Sequence, residues 1–470
     1  MQNVTMVRAK SELIAVLVAQ DNRYFNTVIC NCLALDGFDS YVVGGCVRDS
    51  LLGLEPHDWD ICTNATPVEV LETFAKRGVK TIETGVKHGT VTVCLGDAGE
   101  QYEVTTFRID GEYSDSRHPD SVSFTPSLRE DLARRDFTVN AMAYNEVDGL
   151  IDLFGGEKAL RDNEISCVGN PADRFQEDAL RVMRALRFAS TYGFSIQEDT
   201  AKAIHQFAPR LSNIAAERVQ SELNKLLLGG GALQVLLDYS DVMAVIIPEL
   251  APCIGFDQKN RYHEYTIYDH IVHAVANYTG DDLSVKVALL LHDIGKPQCY
   301  TEDERGGHFH GHGVPSCDLA DIVTKRLRYD NKTRDEVLTL VLYHDSVIEP
   351  TYNVVRRWLN KIGETNFRKL LQVRMADIKA HAKDTQASRI ERCLALHDIL
   401  DEVIAQEQCF SMKDLAIRGK DVMSFGVPEG KLVGDTLRHI LDTVINGEIP
   451  NEIEPQMQAV QQYLAVRAHE

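Results

Sequence analysis

At 470 residues the chain is too long for one small core and suits three or four domains of about 100–150 residues each. Its 44% hydrophobic and 25% charged content is that of an ordinary globular protein. The apolar run Leu13–Val18 falls far short of the ~20 residues of a membrane helix, which argues against a span and leaves no readable secretory signal. A formal net charge of −21 speaks against nucleic acid as a partner, but the cations are bunched. Arg174, Arg181, Arg184, Arg187, Lys202, Arg210, Arg218 and Lys225 recur through one stretch, and Arg356, Arg357, Lys361, Arg368, Lys369 and Arg374 form a second cluster, so an RNA track remains open. Eleven cysteines, an odd number without a CxxC pair, point to reduced thiols and a cytoplasmic protein rather than a disulfide framework.

In chain order, Leu13, Val16 and Leu17 predict a helix running to about Asn26. Short apolar runs then predict strands at Tyr41–Val43, Trp59–Cys62, Val91–Leu95 and Tyr102–Phe107. Between them Thr66–Lys76 reads as a helix with Thr66 as cap and Pro67 at its first position. Beyond Gly155-Gly156 the strand signal almost vanishes. Helical periodicity is carried by Leu180–Ser190, Ile214–Leu228, Ala232–Val245, Ile267–Tyr278, Val285–Leu291, Leu319–Leu327, Glu336–His344 and Phe367–His381. The expected fold class is therefore α+β: a head with a mixed sheet and flanking helices, then a long all-helical neck, body and tail. Expected domains are residues 1–156, 157–255, 256–405 and 406–470.

Within the head, Tyr41-Val42-Val43-Gly44-Gly45-Cys46-Val47-Arg48 reads as a strand running through Gly-Gly into a helix. Glycines there let backbone N–H groups close on a phosphate, and Arg48 offers a charged fork. Asp58-Trp59-Asp60 follows. Residues two apart on a strand share a face, so both carboxylates converge, and hard oxygen ligands suit Mg²⁺. A lone DxD is ordinarily a solvated turn; behind a strand–GG–helix it places triphosphate and metal side by side. Glu103 is a candidate third carboxylate, or a solvated strand residue. Arg134-Arg135-Asp136 offers a further triphosphate or ribose contact.

These pieces, with Arg134–Ala141, Asp152–Gly156, Glu177–Arg181 and Glu217–Leu223, resemble the tRNA nucleotidyltransferases of the bacterial and eukaryotic class, a branch of the polymerase-beta nucleotidyltransferase superfamily. The resemblance covers about Tyr41–Leu228. It implies that Asp58 and Asp60 are catalytic and hold magnesium, and that Gly45, Arg48 and Arg135 grip the nucleotide. It further implies that Glu177–Arg181 selects the base without a template. Asp178 and Arg181, one helical turn apart, are expected to share a face and read a base edge, with Arg184 and Arg187 continuing that face toward phosphates. Trp59 stands where the family more often has Phe, and the hinge Glu157–Leu160 lacks the usual Asp. The loop Tyr113–Asp120 resembles the flexible loop the family needs for the terminal A. The implied activity is addition of the 3′-terminal CCA of tRNA from CTP and ATP, with neither DNA nor membrane as partner. Poly(A) polymerase, a CC- or A-only adding enzyme, and a catalytically silent RNA-binding protein are the alternatives.

Farther on, His270, the pair His292-Asp293 and Asp377 resemble the metal ligands of the HD phosphohydrolase superfamily. His312 and His344 match the extra ligands of its two-metal members. The implied cofactor is a divalent transition metal or Mg²⁺, and the implied activity is a phosphatase or 2′,3′-cyclic phosphodiesterase. His263, His273, His308 and His310 read as neighbours. Leu415–Gln462 resembles the family's C-terminal helical piece, expected to contact tRNA.

Overall fold

The computed structural model describes residues 22–96, 99–111, 121–406 and 408–467. The helix expected around Leu13–Leu17 and the Tyr113–Asp120 loop lie outside them. The chain divides into two compact units, one ending at Pro248 and the other beginning at Glu249. No described helix is long and apolar enough to cross a membrane, and all eleven cysteines are free.

The first unit opens with α1 (Asn22–Leu35), followed by β1 (Ser40–Val43), α2 (Gly45–Leu51), β2 (Asp60–Thr63) and α3 (Pro67–Ala75). Strands β3 (Lys80–Gly85), β4 (Thr90–Leu95) and β5 (Glu100–Thr106) come next. A small ribbon of β6 (Arg108–Asp110) and β7 (Val122–Phe124) leads into α4 (Leu128–Ala133), β8 (Met142–Asn145) and β9 (Gly149–Asp152). The main sheet has the order β3-β4-β5-β2-β1-β8-β9. It is mixed, since β2 runs parallel to β5 while its other pairings are antiparallel. Every residue of β1 is buried, as are Ile61–Thr63 of β2, which marks them as central strands covered on both faces. On β5 burial alternates: Tyr102, Val104 and Thr106 point inward, leaving Glu103 and Thr105 on the open face. Helix α3 begins with the expected cap: Glu69 N–H donates to Thr66 Oγ1 at 3.4 Å and Thr66 N–H to Glu69 Oε2 at 2.8 Å.

The sheet gives way to helices α5 (Gly156–Asp162), α6 (Pro171–Glu177), α7 (Leu180–Tyr192), α8 (Glu198–Phe207) and α9 (Ala216–Leu228). The single helix expected over Ala232–Val245 is two, α10 (Ala232–Asp238) and α11 (Ser240–Ile246), broken where Tyr239 takes φ −118°, ψ 40°. The strand expected from Trp59 begins one residue later, at Asp60, so Asp58 precedes the sheet.

The second unit is helical: α12 (Ile267–Asn277), α13 (Leu283–Leu291), a hairpin β10 (Thr301–Asp303) and β11 (Gly306–His308), then α14 (Gly313–Arg326) and α15 (Asn331–Tyr343). Helix α13 is buried from Ser284 to Leu291 and packs against α12, α14, α15 and the long α16 (Tyr352–Ile378), a central, mostly apolar helix whose buried Lys286 is satisfied by the carbonyls of Val275 and Tyr278. The helix expected at Phe367–His381 thus starts far earlier, but Gly363 (φ 78°, ψ 164°) breaks α16 into two segments. After α17 (Ala387–Ala405), the tail helices α18 (Gly419–Met423), α19 (Lys431–Ile445) and α20 (Ile453–Arg467) close a small core around Ile417, Ile440, Val444 and Val460. The first segment of α16 carries that tail: Asn353 donates to Asn446 O at 2.8 Å, Arg357 to Asn446 Oδ1 at 2.9 Å, and Asn360 to Phe410 O at 2.8 Å.

Candidate active sites

In the first unit, β1 ends against a glycine that must be a glycine. Gly44 takes φ +84°, and a Cβ there would lie 3.0 Å from Arg135 Nη1. Its N–H donates to Met142 O at 3.2 Å, tying the loop to β8. In register, Asp60 lies opposite Val43 on one side and Glu103 on the other. A cavity of about 180 Å³ opens beside them, lined by Asp60, Glu103, Thr105, Arg108, Arg134 and Arg135. The Asp60 carboxyl is raised above its ordinary range, by loss of hydration first and by Asp58 second, with Arg135 opposing. Among the described residues Asp58, Asp60 and Glu103 do not close into a three-ligand group.

Fully buried Asp131 holds two of the three arginines of the cavity, Arg134 and Arg135. It accepts from Arg134 Nε at 2.9 Å and Nη2 at 2.8 Å, and from Arg135 Nη2 at 3.3 Å. Arg135 Nε is buried without a hydrogen-bond partner. Arg48 is placed otherwise than as an open fork. It is clamped by Asp49 at 2.9 and 3.0 Å, donates to Asn140 Oδ1 at 2.5 Å, and lies over the rings of Phe188 and Tyr192 at 5.0 and 4.9 Å.

The neck corrects two expectations. Asp178 and Arg181 do not lie on one continuous helix: α6 ends at Glu177, α7 begins at Leu180, and Asp178 sits in the break at φ −136°, ψ 106°. Its Oδ1 accepts the Leu180 N–H at 2.9 Å while Oδ2 takes Arg218 at 2.9 Å. Arg181 is turned to Glu177, at 2.5 Å, and to the Arg134 carbonyl at 3.0 Å. Arg184 and Arg187 do not run toward open phosphate positions either. Arg184 grips Asp136 Oδ2 at 2.8 and 2.6 Å, and Arg187 Nε lies 2.9 Å from Glu222. Burial raises the Asp136 carboxyl, but Arg184 and the Asn140 amide outweigh it and hold it below the ordinary range. Asp131 lies outside the motifs read from the sequence, and Asn140 and Glu222 lie inside them without a role of their own. Only burial distinguishes them from other polar residues.

In the second unit, residues far apart in sequence converge. His270, His292 and Asp377 form one group of close ligand atoms, and Asp293, His312 and His344 another, all buried. Asp293 stands between them: Oδ2 lies 3.3 Å from His292 Nε2 and 3.4 Å from His270 Nε2, and Oδ1 lies 3.1 Å from His312 Nε2 and 3.6 Å from His344 Nε2. Asp377 Oδ1 lies 2.9 Å from His270 Nε2. Each of the four histidines directs Nδ1 to a backbone carbonyl, those of Ala380, Leu289, Phe309 and Val341, at 2.7–3.2 Å. That second partner fixes the tautomer and turns the Nε2 lone pair inward. His312 and His344 bring Nε2 atoms within 2.9 Å and His270 and His292 within 3.4 Å. Lone pairs so crowded repel unless a cation lies among them. Both Asp293 oxygens are buried without a well-aligned hydrogen bond, a further mark of a ligand set. His263 and His381, packed on His270 by their rings, and Lys296, 2.7 Å from Asp293, complete the surroundings.

Residues 40–166 match the Poly A polymerase head domain, residues 193–254 the probable RNA and SrmB-binding site of polymerase A, and residues 318–460 the putative tRNA nucleotidyltransferase domain 2. The chain is similar to the CCA-adding enzyme of Geobacillus thermodenitrificans, 36% identical over 424 residues that span 89% of this chain and 91% of that one. The similarity to the CCA-adding enzyme of Limosilactobacillus fermentum is denser and shorter, 51% over 193 residues, covering 41% of this chain and 47% of the other. Among solved structures, the Bacillus stearothermophilus CCA-adding enzyme in complex with CTP superposes with a TM-score of 0.70 at 31% identity, over 96% of this chain and 99% of that one. The Thermotoga maritima CCA-adding enzyme complexed with tRNA-CCA shares the fold, with a TM-score of 0.60 at 21% identity over 97% and 99% of the two chains. With the head motif built around Gly44, Asp60 and Arg135 and a relative matched over most of both chains, the chain belongs to the CCA-adding enzymes, a family of nucleotidyltransferases.

Proposed function

We propose that the first unit adds the 3′-terminal CCA to tRNA from CTP and ATP. The tRNA 3′-hydroxyl oxygen bonds to the α-phosphorus, the bond to the bridging oxygen breaks, and pyrophosphate leaves. What carries the reading is the cavity in which Asp60 and Glu103 lie in register beside Arg135, whose guanidinium reaches the positive-φ Gly44. Asp58 and Asp60 would hold Mg²⁺, which neutralises the triphosphate and acidifies the attacking hydroxyl. Arg135, with a buried Nε–H to offer, grips triphosphate or sugar, and Gly44-Gly45 lets the backbone approach. Clamped Arg48 positions the loop through Asn140. Asp178 and Arg181 select the base from opposite sides of the α6–α7 break, an arrangement that Arg218 and Glu177 hold in place before a nucleotide enters. Arg184 and Arg187 brace the neck through Asp136 and Glu222. Free thiols without disulfides suit the reducing cytoplasm. The domain limits 1–156, 157–255, 256–405 and 406–470 are proposed with it.

The test is purified protein with tRNA truncated before CCA. CTP alone should add two residues, CTP with ATP three, and Asp58→Ala or Asp60→Ala neither. Long A tracts would make the chain a poly(A) polymerase instead.

A second activity is favoured by the six buried ligand groups of the second unit. We propose an HD-type phosphohydrolase acting on a 2′,3′-cyclic phosphate or phosphomonoester, which clears the 3′-hydroxyl that nucleotide addition requires. His270, His292, Asp293 and Asp377 would hold one divalent transition metal or Mg²⁺, and His312 and His344, with Asp293 between the groups, a second; the metal supplies hydroxide at neutral pH. Metal content after dialysis, and hydrolysis of 2′,3′-cyclic AMP with Mg²⁺, Mn²⁺, Co²⁺ or Ni²⁺, test it. His292→Ala should remove both and spare CCA addition. A wild type with neither metal nor hydrolysis refutes this half.

A further inference from the structure

Two cavities, of about 310 and 180 Å³, meet at the histidine–aspartate groups and share His344, Asp345, Asp377 and Arg389. The cations around them differ in their commitments. Lys296 Nζ lies 2.7 Å from Asp293 and donates to Gln258 at 3.0 Å. Arg374 donates to the carbonyls of His344 and Ser346 at 2.9 and 2.5 Å. Arg392 pairs with Glu349 at 2.7 Å. Arg389, half-buried in the first turn of α17, has neither hydrogen bond nor ion pair among the described residues.

A guanidinium held partly out of water with no carboxylate at ion-pair distance is unfavourable by itself. Beside a site for phosphoesters it is placed to receive one: its planar fork matches two non-bridging phosphate oxygens. Because it opens on both cavities, it faces an ester in either. We infer that Arg389 is the residue that grips the substrate phosphate in the second unit. The inference rests on the hydrolase reading above and adds to it the group that recognises the anion.

Four proteins test it: wild type, Arg389→Ala, Arg389→Lys and Arg392→Ala, the last removing a cation that lines the same cavity but is already paired. Three quantities are read on each: bound metal per chain, calorimetric affinity for inorganic phosphate, and kcat and KM for 2′,3′-cyclic AMP. Arg389→Ala should keep its metal and its CCA addition, weaken phosphate at least about tenfold, the worth of one charge-assisted bond, and raise KM more than it lowers kcat. Arg389→Lys should restore part of the affinity, and Arg392→Ala should stay within about twofold of wild type by the same measure.

Metal-loaded Arg389→Ala that binds phosphate like wild type overturns the inference and leaves the hydrolase standing. A wild type without metal or hydrolysis sinks the hydrolase. If that protein still binds phosphate through Arg389, the anion assignment survives alone; if it binds none, both fall.

Discussion

Replacing Asp131 with Asn keeps the shape of the side chain and removes its charge at a position with no solvent exposure. The carboxylate accepts two bonds from Arg134, at 2.9 and 2.8 Å, and a longer one from Arg135 at 3.3 Å. Buried bonds to charged groups contribute about 1.5–3 kcal/mol each. The two arginines are 19% exposed, so water makes good part of the loss, and the amide oxygen still accepts on one side. A net destabilisation of about 2–4 kcal/mol follows, below the about 3–5 kcal/mol of a fully dry pair. Urea unfolding followed by circular dichroism measures it. Because Arg135 remains but is no longer held, KM for CTP and for ATP should rise together by roughly tenfold, with a smaller fall in kcat. A stability loss under about 0.5 kcal/mol with both KM values unchanged would refute the reasoning, since the arginines would then hold their places without Asp131. A change for one nucleotide alone would put Asp131 in base choice.

Gly44→Ala meets a φ of +84° and a contact 3.0 Å from Arg135, and should cost about 1–2 kcal/mol of stability. Nucleotide affinity should fall while tRNA affinity in filter binding does not; unchanged affinity for both would remove the loop from the cradle. The Asp136 carboxyl lies below its unfolded value, so its contribution is complete above the ordinary range near about pH 4 and is lost as pH falls through that range and below it. Urea midpoints should therefore separate wild type from Asp136→Asn widely at neutral pH and less in acid; a constant gap would mean that Arg184 gains nothing from the charge. Arg181→Ala should blur the choice among CTP, ATP, UTP and GTP more than it weakens tRNA binding, read as incorporation under limiting enzyme. An unchanged preference at reduced rate would reassign Arg181 to support of the neck.

The strands around Gly44 and Asp60 were legible because their apolar runs are bounded by glycine and proline, and Thr66-Pro67 announces α3 by its own chemistry. Asp58 was misplaced by one feature: an extended run of the right composition does not say where sheet pairing starts. The i,i+3 spacing of Asp178 and Arg181 is equally compatible with a helix and with a break, and at the break the Asp178 carboxylate accepts the Leu180 N–H. The break at Tyr239 carries no glycine or proline to reveal it. Arg184 and Arg187 could be recognised as cationic, but their partners Asp136 and Glu222 lie 48 and 35 positions away, beyond the reach of periodicity. The six ligand groups of the second unit were found through resemblance. Periodicity alone shows His270 and His292 only as polar residues on or beside apolar helices, and nothing local predicts that their Nε2 atoms meet.

The break at Gly363 bears on how the second unit tolerates change. Along an uninterrupted helix the angular phase of every side chain is locked to every other by the 3.6-residue turn. Asn353, Arg357 and Asn360, which hold the tail, would then dictate the direction in which Asp377 points. Gly363 leaves helical angles and cancels that lock, so the anchoring of the tail and the aim of Asp377 are two separate geometric problems within one stretch of chain. A residue gained or lost before the glycine re-clocks only the tail's footing, whereas the same change after it rotates Asp377 away from His270.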